Sequence, residues 1–104
     1  MKHVVVQEPV DYIEFDSEVR IKYDNLCREI EDMKHSDYTD FRLGNPRDKA
    51  LFNLIYERLC KECTSEVGYV DQRSFDTRPR IYWNNHDQFI NYLLLELEDV
   101  RYER

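Results

Sequence analysis

Gly44-Asn45-Pro46-Arg47-Asp48, running on through Ala50 to Cys63, is the stretch on which the fold turns. Asparagine before proline is a helix-start signal. The asparagine oxygen accepts one of the orphan N–H groups of the first turn, and proline sits where an N–H would be unpaired anyway. Asp48 adds a negative charge at the positive end of the helix dipole. Behind this start, Leu51, Phe52, Ile55, Tyr56, Leu59 and Cys63 cover an arc of about 140°. A surface helix needs less, so the pattern predicts a central helix packed on two sides.

C-terminal to it, Thr64-Ser65 weakens the pattern, and Gly68 is read either as the helix cap or as part of a short Val67–Val70 strand. Asp71–Pro79 is a polar connection containing Arg73 and Arg78, with Arg80 just beyond. Ile81-Tyr82-Trp83 reads as a short extended segment. Asn84-Asn85, with Gln88 three residues past Asn85, predicts a capping box opening a last helix. Its apolar face is Phe89, Ile90, Leu93, Leu94, Leu97 and Val100, with Asp87, Asn91 and Glu98 opposite.

N-terminal to the central helix, His35–Gly44 reads as a polar connection. Asp16-Ser17 is read as the start of the first helix, running to about Lys34. Val19, Tyr23, Leu26, Ile30 and Met33 lie within about 40° of one line at helical spacing, with Ile21 the misfit. Glu18–Lys22 and Asp24–Arg28 stand at i,i+4 on the polar side. Asp11–Phe15 alternates with period two and predicts a strand. It would form a hairpin with a His3–Gln7 strand through Glu8–Val10. The expected fold class is α+β: three helices packed with a small antiparallel sheet, made of an N-terminal hairpin and a short strand near Ile81–Trp83.

At 104 residues the chain fits one domain, 1–104. Aromatics reach 13%, too many for a charged disordered chain, and two glycines leave no material for a glycine-rich phosphate loop. The longest apolar runs, Val4–Val6 and Leu93–Leu95, are far short of a membrane span or a signal-peptide core. Three cysteines, Cys27, Cys60 and Cys63, make an odd count that fits a reducing compartment, so the expected setting is cytoplasmic.

The net charge of −7 is unevenly placed. Between Glu8 and Asp40 there are eleven acids against Arg20, Lys22, Arg28 and Lys34, which accounts for the whole of it; the remainder sums to zero. Direct nucleic-acid binding and anionic membranes are therefore disfavoured. Arg73, Arg78 and Arg80 near Phe75 and Tyr82 are more simply read as ion-pair partners of the acidic third than as a phosphate contact.

Catalytic chemistry finds no signature: no nucleophile elbow, no His-Glu-x-x-His and no phosphate loop. Cys60 and Cys63 form a C-x-x-C at the close of a helix rather than at its start, and no second knuckle accompanies them. With Cys27 they carry a third-ranked metal or redox reading, behind packed free thiols. The three histidines are read as surface or capping residues, His86 in the first turn of the last helix. No enzyme activity, metal or cofactor is expected.

The acidic, tyrosine-bearing third is the remaining signal. Asp11, Tyr12, Glu14, Asp16, Asp24, Glu31, Asp32, Asp37, Tyr38 and Asp40 are the candidate partner-binding residues, acids steering a basic surface and tyrosines anchoring it. The reading is a small non-catalytic inhibitor or binding protein that docks on a basic, nucleic-acid-handling protein. Anti-CRISPR and immunity proteins share this profile of size and charge, though no motif carries the comparison. The alternative is a homo-oligomeric subunit with an apolar helix patch of Ile21, Tyr92 and Leu95.

Overall fold

Residues 12–15, 18–62, 66–71 and 78–102 are described by the computed structural model. Alternation of Val19, Ile21 and Tyr23 with Arg20 and Lys22 makes an extended segment, not a helix. Strand β1 (Tyr12–Glu14) pairs antiparallel with β2 (Arg20–Lys22), Ile13 standing opposite Ile21. Both isoleucines are buried while the residues flanking them are exposed. The Phe15 N–H donates to the Val19 carbonyl at 3.2 Å and closes the hairpin.

This corrects two expectations. The first helix starts at Tyr23 rather than Asp16, and the partner of the Tyr12 strand is the segment read as helix. The His3–Gln7 strand lies outside the described residues. Ile21, the misfit of the helical stripe, is 2% exposed because it faces inward from a strand. It is therefore no part of an exposed self-association patch.

Helix α1 (Tyr23–Asp32) follows β2 directly, with Lys22 at the N-cap and no side-chain cap. Tyr23, Leu26 and Ile30 form its buried stripe, and a 3-10 turn (Met33–His35) extends it through buried Met33. Strand β3 (Tyr38–Asp40) occupies what the sequence presents as a polar connection. Helix α2 (Pro46–Glu62) begins as expected: Asn45 Oδ1 accepts the N–H groups of Arg47 at 2.9 Å and Asp48 at 3.3 Å. Strands β4 (Gly68–Asp71) and β5 (Arg80–Trp83) precede helix α3 (Asp87–Tyr102).

The second sheet has the order β3-β5-β4, antiparallel throughout. Ile81–Trp83 is thus the centre of its own sheet and does not join the N-terminal hairpin. Gly68 belongs to the strand because β5 comes so close: a Cβ there would stand 2.7 Å from the Tyr82 carbonyl oxygen. Ile81 and Trp83 point inward onto a core with Leu26, Ile30, Ile55, Ile90 and Leu93, all closed to solvent or nearly so.

The closest helix–helix approach is α1 on α3, which moves the centre away from α2. Helix α2 reaches the core through long side chains instead. Phe52 meets Phe41 at 5.3 Å between ring centroids, and Arg58 meets Glu96 of α3 at 2.9 Å. Tyr56, placed on the apolar arc by spacing, is 41% exposed and stacks on Phe52.

His86 is neither a surface residue nor part of an Asn85 capping box. It is buried just ahead of α3, its ring stacked 4.9 Å from Trp83, and its Nε2–H donates to the Met33 carbonyl at 2.6 Å. One imidazole thereby ties the end of α1 to the start of α3, and the carbonyl it faces fixes the Nε2-protonated tautomer.

Candidate acidic cleft and tyrosine face

The ten candidate residues do not form one face. Asp11 and Asp16 lie outside the described residues. Tyr12 and Glu14 sit on the hairpin, and Asp24 opens α1. Glu31 and Asp32 close that helix, about 10–12 Å further along at ~1.5 Å per residue. Asp37, Tyr38 and Asp40 follow on or beside β3.

Part of the early charge is cancelled. Glu14 pairs with Arg20 at 3.2 Å, and Arg47 forks onto both oxygens of Glu29. Asp40 receives Arg80 Nε at 2.8 Å and lies 3.8 Å from Arg78. Two of the three loop arginines therefore do pair with the acidic third, as the charge balance suggested; Arg73 lies outside the described residues. Hydrogen bonding to the Tyr82 hydroxyl, and then the Asp40 charge, hold Arg80 above the ordinary arginine pKa.

The densest group of acids lies at the far end of α1, and it includes the paired Glu29 and Asp40. Asp32, Tyr38 and Asp40 meet Glu29 and Asp48 around a cleft of about 320 Å³, with Met33, Phe41 and Leu51 also in its lining. Ser36 and Thr39 complete the wall; among the described residues the lining holds four carboxylates and no Lys, Arg or His. Asp48 joins because the Arg42 N–H donates to its Oδ2 at 3.1 Å, turning it back from α2 toward β3. Glu29 and Asp48 are the members the sequence reading missed. Asp48 lies eight residues past the acidic third, and only the return of the chain through Gly44 brings it round.

A larger groove of about 480 Å³ runs between the hairpin and α2. Its lining mixes Phe15, Val19, Leu43 and Leu54 with Glu18, Lys49 and Glu57, so it has no single sign.

The outer face of the three-stranded sheet carries a second feature. Tyr38, Tyr82 and Tyr69 stand side by side in register across the strands. Ring centroids are 5.7 Å apart for the first pair and 5.3 Å for the second. Asp40, Arg80 and Asp71 form the next row. A signal for this was present. Tyr-x-acid occurs three times in the chain, at Tyr12-Ile13-Glu14, Tyr38-Thr39-Asp40 and Tyr69-Val70-Asp71, and each is a strand. In the first two, an arginine opposite the acid lies over the tyrosine: Arg20 over Tyr12 and Arg80 over Tyr38, each with its guanidinium carbon 4.8 Å from the ring centroid.

The thiols are dispersed over different elements. Cys27 is half-buried on α1, Cys60 is exposed on α2, and Cys63 lies outside the described residues. Cys60 is hydrogen-bonded to Tyr56 one turn earlier; that bond and the negative charge of the Cys60 thiolate raise the phenol above its usual pKa of 10.0. Among the described residues no three His, Cys, Asp or Glu side chains gather as a metal-binding set. None of their helices is long and apolar enough to cross a membrane. Compared with family models, curated proteins and solved structures, the chain matches none.

Proposed function

We propose that this is a small non-catalytic binding protein of the inhibitor or immunity type, which receives basic side chains of a nucleic-acid-handling protein in the cleft between α1, β3 and α2. The observation that carries the reading is the cleft lining, where Asp32 and Asp48 stand beside the arginine-paired Glu29 and Asp40 around an apolar floor with no Lys, Arg or His in the described lining. A lysine or arginine entering it meets negative charge on several sides and covers its methylene stem against Met33, Phe41 and Leu51. Proteins that hold phosphate backbones present such side chains in dense rows, so an acidic plug competes with the nucleic acid for the same surface.

A short lysine-rich peptide tests the cleft directly. Asp32→Lys should weaken its binding by about three- to tenfold, and raised salt should weaken it further. Asp24→Lys, at the other end of α1, should do much less. Equal losses from both variants, or affinity indifferent to salt, would refute the cleft as the docking point.

A second reading is self-association through α3, on which Leu95 is 63% and Tyr92 44% exposed. A dimer held by such a patch would be insensitive to salt, whereas the acidic contact is not.

A further inference from the structure

We infer that the basic segment of the partner binds as an added strand on the outer edge of β3, with a basic side chain reaching into the acidic cleft. The inference rests on the docking reading above and adds the conformation of the bound segment. β3 stands at the end of the order β3-β5-β4, so only one of its edges is paired within the sheet. The phase of the hydrogen bonds says which groups face the other edge. The Trp83 N–H donates to the Asp37 carbonyl at 2.8 Å, and the Phe41 N–H donates to the Pro79 carbonyl at 3.1 Å. Asp37, Thr39 and Phe41 therefore turn their main-chain groups toward β5. Alternation turns those of Ser36, Tyr38, Asp40 and Arg42 away from it.

The N–H groups at the two ends of this outer row are closed by the chain itself. Ser36 donates to the Met33 carbonyl at 3.3 Å, and Arg42 donates to Asp48 Oδ2 at 3.1 Å. Between them, the main-chain groups of Tyr38 and Asp40 meet no partner among the described residues. An unpaired strand edge is a template for another extended chain. This edge opens on the cleft, because Ser36, Tyr38, Thr39, Asp40 and Asp48 all line it.

The two faces of an added strand would meet different surroundings. Thr39 bonds the inward-facing Trp83, so a side chain on the Thr39 face lies toward Met33, Phe41 and Leu51, with Asp32 and Asp48 beside them. On the opposite face, Arg80 already covers Tyr38 and pairs with Asp40. A lysine or arginine is attracted on the first face and repelled on the second. That calls for a segment in which basic and uncharged residues alternate. The overall charge of −7 favours such a cationic segment over a second copy of this chain.

A short peptide alternating lysine and valine tests this on the full chain, beside two forms N-methylated on one or the other alternate set of residues. Methylation removes main-chain donors and leaves the charge unchanged. One methylated form should bind about tenfold more weakly than the parent and the other about equally, since only every second N–H of a strand faces its neighbour. Amide exchange at Tyr38 and Asp40 should slow by a similar factor under saturating peptide. If both methylated forms bind as the parent does, and Asp32→Lys still weakens all three, strand addition is overturned and the cleft reading stands. Equal weakening of both forms, or unchanged exchange at Tyr38 and Asp40, would also overturn it. Protection of those two amides without peptide, rising with protein concentration, would overturn it in favour of a second copy on the edge. No binding of the parent peptide would overturn both readings together.

Discussion

The two small sheets solve the same surface problem to different extents. In the two-stranded ribbon, Tyr12 and Glu14 are both engaged by Arg20, and among the described residues no third strand extends the row. In the three-stranded sheet, Arg80 engages Tyr38 and Asp40 in the same way, but β5 continues the tyrosine row to Tyr82 and β4 to Tyr69. The ribbon consumes its own acid and aromatic. The larger sheet sets a longer tyrosine row beside the acidic cleft, with Arg80 opposite both Asp40 and Asp71. The difference teaches that the width of the sheet, and not the number of tyrosines in the sequence, decides how many rings stand in one row.

The comparison can be broken first at Trp83, on which the larger sheet is anchored. Its Nε1–H donates to Thr39 Oγ1 at 2.8 Å, joining β5 to β3, and its ring carries His86. Trp83→Ala should cost about 3–5 kcal/mol in denaturant unfolding. A loss under 1 kcal/mol would mean that the sheet does not depend on this anchor.

Gly68→Ala should follow, at about 1–3 kcal/mol, since a methyl group cannot stand 2.7 Å from the Tyr82 carbonyl without parting β4 from β5. Gly44→Ala is the control, with nothing within 4 Å of its Cβ position. If the two variants melt alike, the close approach of β4 to β5 is wrong.

His86→Ala removes the link from α3 to the Met33 carbonyl, which keeps its bond from the Ser36 N–H, for a loss of about 0.5–1.5 kcal/mol. Because Met33 also lines the cleft, this variant should lower peptide affinity as well, whereas an equally destabilising change in the hairpin should not. Least consequential is Arg20→Met. Its pair with Glu14 is 61% exposed on both sides, so stability should shift by no more than about 0.5 kcal/mol. Arg80→Met, which releases Asp40, Tyr38 and Tyr82 at once, should have the larger effect of the two.

Local chemistry made α2 and α3 readable. Asn45-Pro46 caps and starts α2 as its side-chain oxygen dictates, and Phe89, Ile90, Leu93 and Leu97 face the core of α3 as their spacing requires. The error in the first third has a definite cause. Val19 and Tyr23 are four apart, a separation that satisfies both a helical stripe and a period-two strand. Ile21, which satisfies only the strand, carried the decision and looked like noise. Tyr38–Asp40 was hidden for another reason. A three-residue strand offers one inward side chain, and here that residue is Thr39, a half-buried polar group bonded to Trp83.

The candidate site was half legible. Its acidity and its tyrosines stood in the composition of the first third, and Asp32, Tyr38 and Asp40 were named from it. Which acids would be neutralised was a matter of tertiary return. Arg47, Arg78 and Arg80 arrive from later in the chain, and so does Asp48, which adds to the cleft instead of cancelling it.

The most direct test is a backbone-amide chemical-shift map of the chain titrated with the lysine-rich peptide. Concentrated electrostatics at the far end of α1 predicts shifts at Asp32, Tyr38, Asp40 and Asp48, with Tyr12, Glu14 and Asp24 unmoved. Shifts spread evenly over the acids at both ends of α1 would contradict the account.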